Sequence, residues 1–218
     1  MKKLFIVANW KSHKTTSGAV EWLLFFKDRP IPEGKEIILC VPFTLLSVCA
    51  FFIHEHNLSF EVGSQDISLF EEGSYTGEIN AGQIKEFADY VILGHSEREK
   101  YFGETRDMVE KKAKQAQIVS LQTILCVPNA ETAIPENTPI IAYEPPSAIG
   151  SGLPDTPDNA ELVAIKIKNN QGVQVVLYGG SVTSENVASF TQSSHIDGVL
   201  VGKASLDPEE FLRIIEHA

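Results

Sequence analysis

Residues 140–152 read IIAYEPPSAIGSG, an apolar run that leads directly into one carboxylate, Glu144, and then into a loop of prolines and glycines. A carboxylate at the carboxyl end of a buried strand lies where α/β proteins place their chemistry. Prolines restrict the start of such a loop, and glycines free its end. We therefore predict that Glu144 is a general base and that residues 145–153 form a lid over it. The simpler alternative is a strand-end carboxylate paired with a lysine.

The same alternation of short apolar runs and helical stretches extends along the whole chain. Short, mostly apolar runs indicate strands, and the continuous run at 4–8 is typical of a strand buried on both faces. They lie at residues 4–8, 37–41, 60–63, 90–93, 123–127, 140–143, 174–177 and 198–201. Predicted helices lie at about 18–28, 44–56, 83–88, 106–117, 158–169 and 184–191, and a last helix opens at Asp207 and Pro208. This order predicts an α/β protein with one domain over residues 1–218, a (β/α)8 barrel or TIM barrel.

The connection between the fifth and sixth strands is too short for a complete unit. Residues 128–139 contain prolines and leave room for about one helical turn at most. The chain has 218 residues, whereas this fold typically takes about 250. We therefore expect one outer helix to be missing or reduced here.

Composition restricts the class of partner. The net charge of -11 argues against nucleic acid or an anionic membrane as the main partner, although a local cation cluster can still bind a small anion.

The three cysteines are sparse, and Cys40 and Cys126 lie in strand-like runs, so we interpret them as reduced core residues of a cytoplasmic protein. The apolar run after Lys3 is too short for a signal peptide or a membrane span.

Polar residues follow the first and fourth predicted strands. Lys11, close to Asn9, can neutralise an anionic substrate, although a solvated loop lysine is the more common case. We expect Ser96 to cap a short helix whose dipole disfavours a charged imidazole at His95. A neutral imidazole can polarise a carbonyl group, although a structural histidine fits equally well. Glu97 is either a supporting ion partner or a surface charge.

Two turns rich in glycine follow the last two strands. They consist of Tyr178, Gly179, Gly180 and Ser181, and of Gly202 and Lys203. Glycine lets the backbone approach an anion, so these turns and Gly150 of the lid predict a phosphate site; ordinary turn geometry is the alternative. Neither metal-ligand spacing nor a dinucleotide motif is found, so we expect neither metal nor cofactor. The set predicts proton transfer next to a carbonyl group of a small phosphorylated substrate.

These motifs resemble those of the triosephosphate isomerase family. The matching pieces are NWK (9–11), GSQD (63–66), EGSYTGE (72–78), GHSER (94–98), AYEP (142–145), AIGSG (148–152), YGGS (178–181) and GKASL (202–206). The resemblance implies interconversion of dihydroxyacetone phosphate and D-glyceraldehyde 3-phosphate through an enediolate, in glycolysis and gluconeogenesis.

The resemblance also implies roles for single residues. Glu144 would be the catalytic base, His95 the electrophile, and Lys11 and Asn9 contacts to the substrate. The backbone of Gly150, Ser181, Gly202 and Lys203 would hold phosphate, with Ser96, Glu97, Tyr178, Gly179 and Gly180 in support. Gln65, Tyr75 and Thr76 would belong to an interlocking loop of a homodimer, with Thr76 reaching the neighbouring site.

The chain departs from the family pattern at three places. The lid has two prolines after the glutamate, where Pro-Val-Trp is common. The shortened segment after Cys126 resembles compact archaeal forms, which favour a homotetramer, whereas residues 178–182 and 202–206 resemble bacterial forms. Lys203 replaces a common glycine and adds a positive charge. Two other functions stay open: a cofactor-free isomerase of a longer sugar phosphate, which a roomier site would favour, and a catalytically silent barrel used for binding.

Overall fold

The computed structural model describes residues 3–149, 152–170 and 172–218. Within them, parallel strands close into a barrel in sequence order, with the last strand next to the first. The strands are β1 (Leu4–Asn9), β2 (Lys35–Val41), β3 (Glu61–Ser64), β4 (Tyr90–Leu93), β5 (Gln122–Val127), β6 (Ile140–Tyr143), β7 (Val175–Tyr178) and β8 (Gly198–Val201). The predicted (β/α)8 barrel is confirmed, and each predicted strand overlaps an observed one.

Helices surround this barrel. They are α1 (Thr16–Phe26), α2 (Leu46–Glu55), α3 (Ala81–Lys85), α4 (Ser96–Phe102), α5 (Arg106–Ile118), α6 (Pro157–Lys168), α7 (Val187–Thr191) and α8 (Pro208–His217). The carboxylate of Asp207 accepts the N–H of Glu209 at the start of α8, as the sequence predicts. The prediction for α7 was too long at its start, because residues 184–186 form a turn. None of the helices in the described ranges is long and apolar enough to cross a bilayer.

The connection between β5 and β6 carries no helix. Residues 128–139, all of them described, form turns and irregular backbone. Ala130 and Ile134 of this segment pack against the core, so they cover part of the barrel wall. The expected loss of one outer helix is therefore confirmed.

The core has two layers because the sheet is apolar on both faces. Side chains that point into the barrel form a compact cluster that includes Val7, Ile92 and Leu177. Alternate residues of the same strands point outward and pack under the helices. At the closure, a Cβ atom on Gly198 would lie 1.9 Å from the carbonyl oxygen of Phe5, so glycine is needed where β8 meets β1.

A buried ion cluster lies beneath the loops that follow β3 and β4. The ammonium of Lys112 on α5 pairs with Asp66 (2.6 Å) and with Glu104. Arg98 on α4 bonds the same two carboxylates, at 2.8 and 3.0 Å. Burial raises the pKa of Asp66, and Lys112 and Arg98 oppose that rise. The cluster ties α4 and α5 to the loop after β3, and so supports the part of the barrel mouth that carries His95.

Candidate active site

Glu144 and His95 face each other across the mouth of the barrel. Glu144 directly follows β6, and His95 follows β4. Nε2 of His95 lies 3.4 Å from Oε1 of Glu144, and each residue is only 5% exposed. The two residues are 49 positions apart in the sequence, and closure of the barrel brings them together. The structure therefore brings together the two side chains that the sequence singled out as a base and an electrophile.

The prediction that Ser96 caps the short helix α4 is wrong. The N-cap residue is His95, whose Nδ1 accepts the N–H of Glu97 at 3.2 Å, and Ser96 is the first helical residue. The extended backbone of His95 turns the ring back over the first turn, so the imidazole takes the place of a capping hydroxyl. Because Nδ1 accepts a hydrogen bond, the proton of the neutral ring lies on Nε2, which faces Glu144.

The carboxylate of Glu144 is in an environment that favours basicity. Burial raises its pKa, and His95, the thiol of Cys126 and Lys11 partly offset this rise. Among the described residues, Oε2 of Glu144 has no hydrogen-bond partner. A buried carboxylate oxygen without a partner is uncommon and costly. The lack of a partner adds to the cost of negative charge on this buried carboxylate, in the same direction as the raised pKa.

Gly179 makes room for Glu144. A Cβ atom on Gly179 would lie 2.8 Å from Cγ of Glu144, so any larger residue would displace the carboxylate. The sequence pattern assigns Gly179 to a phosphate turn and does not indicate this contact. The contact exists because β6 and β7 are neighbours in the barrel.

Lys11 is held in an unusual backbone conformation beside the site. Its φ is +51°, in the left-handed region that non-glycine residues rarely adopt. Oδ1 of Asn9 accepts its N–H at 3.0 Å, and the amide of Gln65 donates to its carbonyl oxygen at 3.1 Å. Its ammonium lies 2.6 Å from Oε1 of Glu97. Gln65, which was predicted at the carboxyl end of a strand and which the resemblance assigns to an inter-subunit loop, thus positions Lys11 within its own chain.

The two glycine-containing turns lie side by side at the ends of β7 and β8. Ser181 has φ +50°, and its hydroxyl donates to the carbonyl oxygen of Ala148 in the lid at 2.6 Å. A Cβ atom on Gly202 would lie 3.5 Å from Cε of Lys11, so the second turn lies directly beside the ammonium-bearing side chain. The predicted contribution of Gly150 falls outside the described residues.

Further contacts anchor the lid close to β6 and β7. A Cβ atom on Gly180 would clash with the hydroxyl of Tyr178 at 2.5 Å and with Ala148, so glycine lets the lid pack against this turn. The hydroxyl of Tyr178 accepts the N–H of Asp155 at 2.7 Å, and Tyr143 donates to the Asp155 carboxylate at 3.0 Å. Ala148 within the predicted lid and Asp155, two residues beyond its end, are therefore both bonded to the barrel or its turns.

One cavity of about 740 Å³ connects these groups. Its lining includes Asn9, Lys11, His95, Glu144, Gly179, Ser181, Gly202 and Lys203. The cavity also extends to Thr183, Asp207, Glu210 and Arg213, which sequence reasoning did not place at the site. Helix α8 has apolar residues on one face and charges on the other, a pattern that predicts a surface helix and gives no indication of a cavity.

The predicted inter-subunit residues lie apart from the cavity. Tyr75 and Thr76 are in an exposed loop, residues 71–78, and neither lines the cavity of its own chain. The ring of Tyr75 stacks on Phe70 with centroids 4.2 Å apart, and both rings remain partly exposed. A role for Thr76 at a site would therefore require a second chain.

Comparison with known proteins agrees with this geometry. The family model described as triosephosphate isomerase matches residues 4–218. A triosephosphate isomerase from Aquifex aeolicus (strain VF5) is 36% identical, with 99% of each chain covered. Those from Trichodesmium erythraeum (strain IMS101) and Synechococcus sp. (strain JA-2-3B'a(2-13)) are 37% and 38% identical, covering 100% of both chains in the first case and 99% and 97% in the second.

The alignments also bear on the length of the chain. The alignment with the Aquifex protein runs to 247 positions, more than the 218 residues of this chain, so that relative carries residues absent here. The match nevertheless extends over nearly the whole of both chains, and the chain belongs to the triosephosphate isomerase family.

Proposed function

We propose that the chain catalyses the interconversion of dihydroxyacetone phosphate and D-glyceraldehyde 3-phosphate, a step of glycolysis and gluconeogenesis. The observation that carries this proposal is the buried Glu144 carboxylate, which faces Nε2 of His95 at 3.4 Å in a cavity that also contains Lys11. The decisive experiment is a coupled assay of glyceraldehyde 3-phosphate turnover by the purified chain. Absence of turnover would contradict the proposal and would favour a silent binding barrel.

In the proposed mechanism, Glu144 removes a proton from the carbon next to the carbonyl group and returns it to the neighbouring carbon. Nε2–H of His95 donates a hydrogen bond to the carbonyl oxygen and passes its proton to that oxygen, and the ring then takes the hydroxyl proton of the neighbouring carbon, which leaves the new carbonyl group there. The charge of Lys11 stabilises the enediolate. The raised pKa of Glu144 strengthens it as a base. Closure of the lid would exclude water and protect the enediolate.

The substrate phosphate would be held by backbone N–H groups of the two turns. The proposed donors are Gly150, Ser181, Gly202 and Lys203. The left-handed Ser181 and the small Gly202 let an anion approach the backbone closely. Asn9 and Glu97 would support this arrangement through Lys11, which they contact directly.

A second candidate substrate is a longer sugar phosphate, because the cavity extends as far as α8. The added lining comes from the loop after β7 and from α8, beyond the two phosphate turns. A longer carbon chain would need additional room between Glu144 and those turns. The extension lies beyond the turns, so the cavity fits a triose better than a longer sugar phosphate. Turnover of an aldotetrose 4-phosphate at a rate similar to that of the triose would favour the second candidate.

Lys11 provides a direct test of the electrostatic part of the mechanism. We expect Lys11→Met to lower kcat/KM for glyceraldehyde 3-phosphate by on the order of 10²–10³-fold, because the cation that faces the developing charge is lost. Lys14→Met is the matched control, since Lys14 lies in the same loop and outside the cavity and also has a positive φ. A Lys11→Met enzyme within a factor of about two of the wild type would contradict the assigned role.

We further propose that the chain acts as a homodimer. Aromatic side chains are exposed on two successive β/α units: Phe70 and Tyr75 after β3, and Tyr101 and Phe102 on α4. The last two are 66% and 71% exposed, and exposed apolar groups on neighbouring loops are typical of an interface. In a dimer, the loop at 71–78 would cover the neighbouring chain, and Thr76 would reach its site.

Sedimentation velocity tests the assembly. We expect a dimer for the wild type and a shift towards monomer for Phe102→Glu, because a charge in an apolar interface is costly. Phe51→Glu on α2 is the matched control, as Phe51 is equally exposed but lies outside the proposed interface. A wild-type monomer, or an unchanged dimer for Phe102→Glu, would contradict this interface, and a homotetramer would place a second interface elsewhere.

The proposed setting is a reducing cytoplasm, with the chain acting as one domain. Cys40, Cys49 and Cys126 are free thiols and buried, which is typical of proteins from reducing compartments. Burial raises the pKa of Cys49 to about 12, so its thiol is poorly reactive. Cooperative unfolding in a single transition would support the single domain.

A further inference from the structure

We propose that the side chain of Lys203, in addition to its backbone, recognises the substrate phosphate and determines specificity for a phosphorylated substrate. This inference rests on the proposed function and deepens it. The phosphate contacts proposed above come from backbone N–H groups, which any residue except proline supplies. A lysine side chain adds a full charge at the same place.

The position of Lys203 supports this role. It lines the cavity and directly follows Gly202, beside which the side chain of Lys11 lies. The turn that carries it is next to the turn of Ser181, because β7 and β8 pair in the barrel. Lys203 is therefore on the same rim as the groups proposed to bind phosphate, and its side chain is exposed.

One cation in the lining of the cavity has no partner in the part of the chain that the structure describes. Within the described ranges, the cations of the lining are Lys11, Lys203 and Arg213. Lys11 bonds Glu97 at 2.6 Å, and Arg213 bonds Glu210 at 2.9 Å. Among the described residues, the ammonium of Lys203 has neither a hydrogen bond nor an ion pair. Glu144, Asp207 and Glu210 also line the cavity, but none of them pairs with Lys203, so its ammonium is left for an incoming anion.

The cavity that Lys203 lines extends to the loop after β7 and to α8. Glu210 accepts hydrogen bonds from the N–H and the hydroxyl of Ser184, at 2.8 and 3.0 Å, and so joins α8 to the loop after β7. Both acceptor oxygens of Glu210 are thus engaged, and one also binds Arg213. Lys203 is free to pair with a dianion that enters the cavity, and the same charge would attract that dianion from solution.

The experiment compares kcat/KM for glyceraldehyde 3-phosphate and for unphosphorylated glyceraldehyde. Lys203→Met keeps the backbone N–H and removes only the charge. We expect the ratio of the two values to fall by about twofold to fivefold, the upper part of the range that one exposed ion pair supports. The fall should shrink at high ionic strength, and Lys203→Arg should restore the ratio. Lys166→Met, on the exposed face of α6, makes the same change in net charge away from the cavity and should leave the ratio unchanged.

A binding measurement separates this inference from the proposed function. Titration of inorganic phosphate into wild type and Lys203→Met should show weaker binding to the variant by a similar factor. If the wild type lacks isomerase activity, the proposed function fails, and the phosphate titration still tests Lys203. An unchanged substrate ratio together with unchanged phosphate affinity would overturn the inference, as would an equal loss for both substrates, which would indicate a structural role.

Discussion

Replacing Glu144 with glutamine is expected to lower kcat for glyceraldehyde 3-phosphate by on the order of 10²–10⁴-fold, because the amide has the same shape but cannot accept the proton. Glu144→Asp should lose about 10²-fold, since the carboxylate retreats by about 1 Å from its partner groups. Steady-state kinetics together with titration of inorganic phosphate provides the measurement. Phosphate affinity should change little in both variants, because Glu144 is not among the proposed phosphate donors.

Glu55→Gln provides the control for Glu144, as Glu55 is exposed at the end of α2 and outside the cavity.

The pH profile adds a second measurement. Burial raises the pKa of Glu144, and only the deprotonated form is a base, so activity is lost as the pH falls through this raised pKa. The acid limb of the kcat/KM profile should therefore have a pKa above about 4.3, the value for an exposed glutamate. The profile is first corrected for the substrate phosphate, which titrates at about pH 6. A Glu144→Gln enzyme with near-normal kcat would remove this residue from the mechanism.

Lys112→Met is expected to give the largest loss of stability. Lys112 is only 3% exposed and pairs with both Asp66 and Glu104. Its removal leaves two buried carboxylates to share Arg98, and breaking a buried pair in this way costs about 3–5 kcal/mol. For a chain of this size, we expect the Tm to fall by about 6–20 °C. Thermal unfolding followed by circular dichroism provides the measurement.

Lys114→Met is the matched control on the same helix. Lys114 forms an exposed pair with Glu110, so its loss should cost about 0.5 kcal/mol or less. The pH dependence identifies the cause. Burial already raises the pKa of Asp66, and this pKa should rise further without Lys112, so the penalty is absent at low pH and grows as the pH rises. A loss of stability that is equal at pH 4 and pH 7 would indicate a packing defect and contradict the electrostatic explanation.

Much of the fold can be predicted from the sequence because a parallel barrel buries both faces of its strands. Continuous apolar runs such as the one at 140–143 then indicate strands. Three of the eight predicted strands have the observed first and last residues. The missing helix is predictable for a similar reason, since a segment as short and proline-rich as 128–139 cannot form a full helix. Helix ends are less predictable, as α7 shows, because local turns compete with them.

The details of the candidate site are less predictable, because they depend on contacts between distant residues. Gln65 supports Lys11 across 54 positions, and Gly179 makes room for Glu144 across 35. The capping of α4 by His95 is local, but serine is so common at N-caps that the pattern favoured Ser96. The extension of the cavity to Arg213 has no sequence signal, since α8 has the pattern of an ordinary surface helix.

The sequence of residues 140–152 by itself determined that a buried strand ends at a carboxylate followed by a loop with stiff and flexible parts. Residue chemistry alone determined this, because apolar runs, proline and glycine act locally. Only the tertiary structure decided that Nε2 of His95 faces this carboxylate and that the hydroxyl of Ser181 holds Ala148 of the lid. These contacts arise from closure of the barrel, which brings the ends of separate strands to one mouth and at the same time buries Glu144 and raises its pKa.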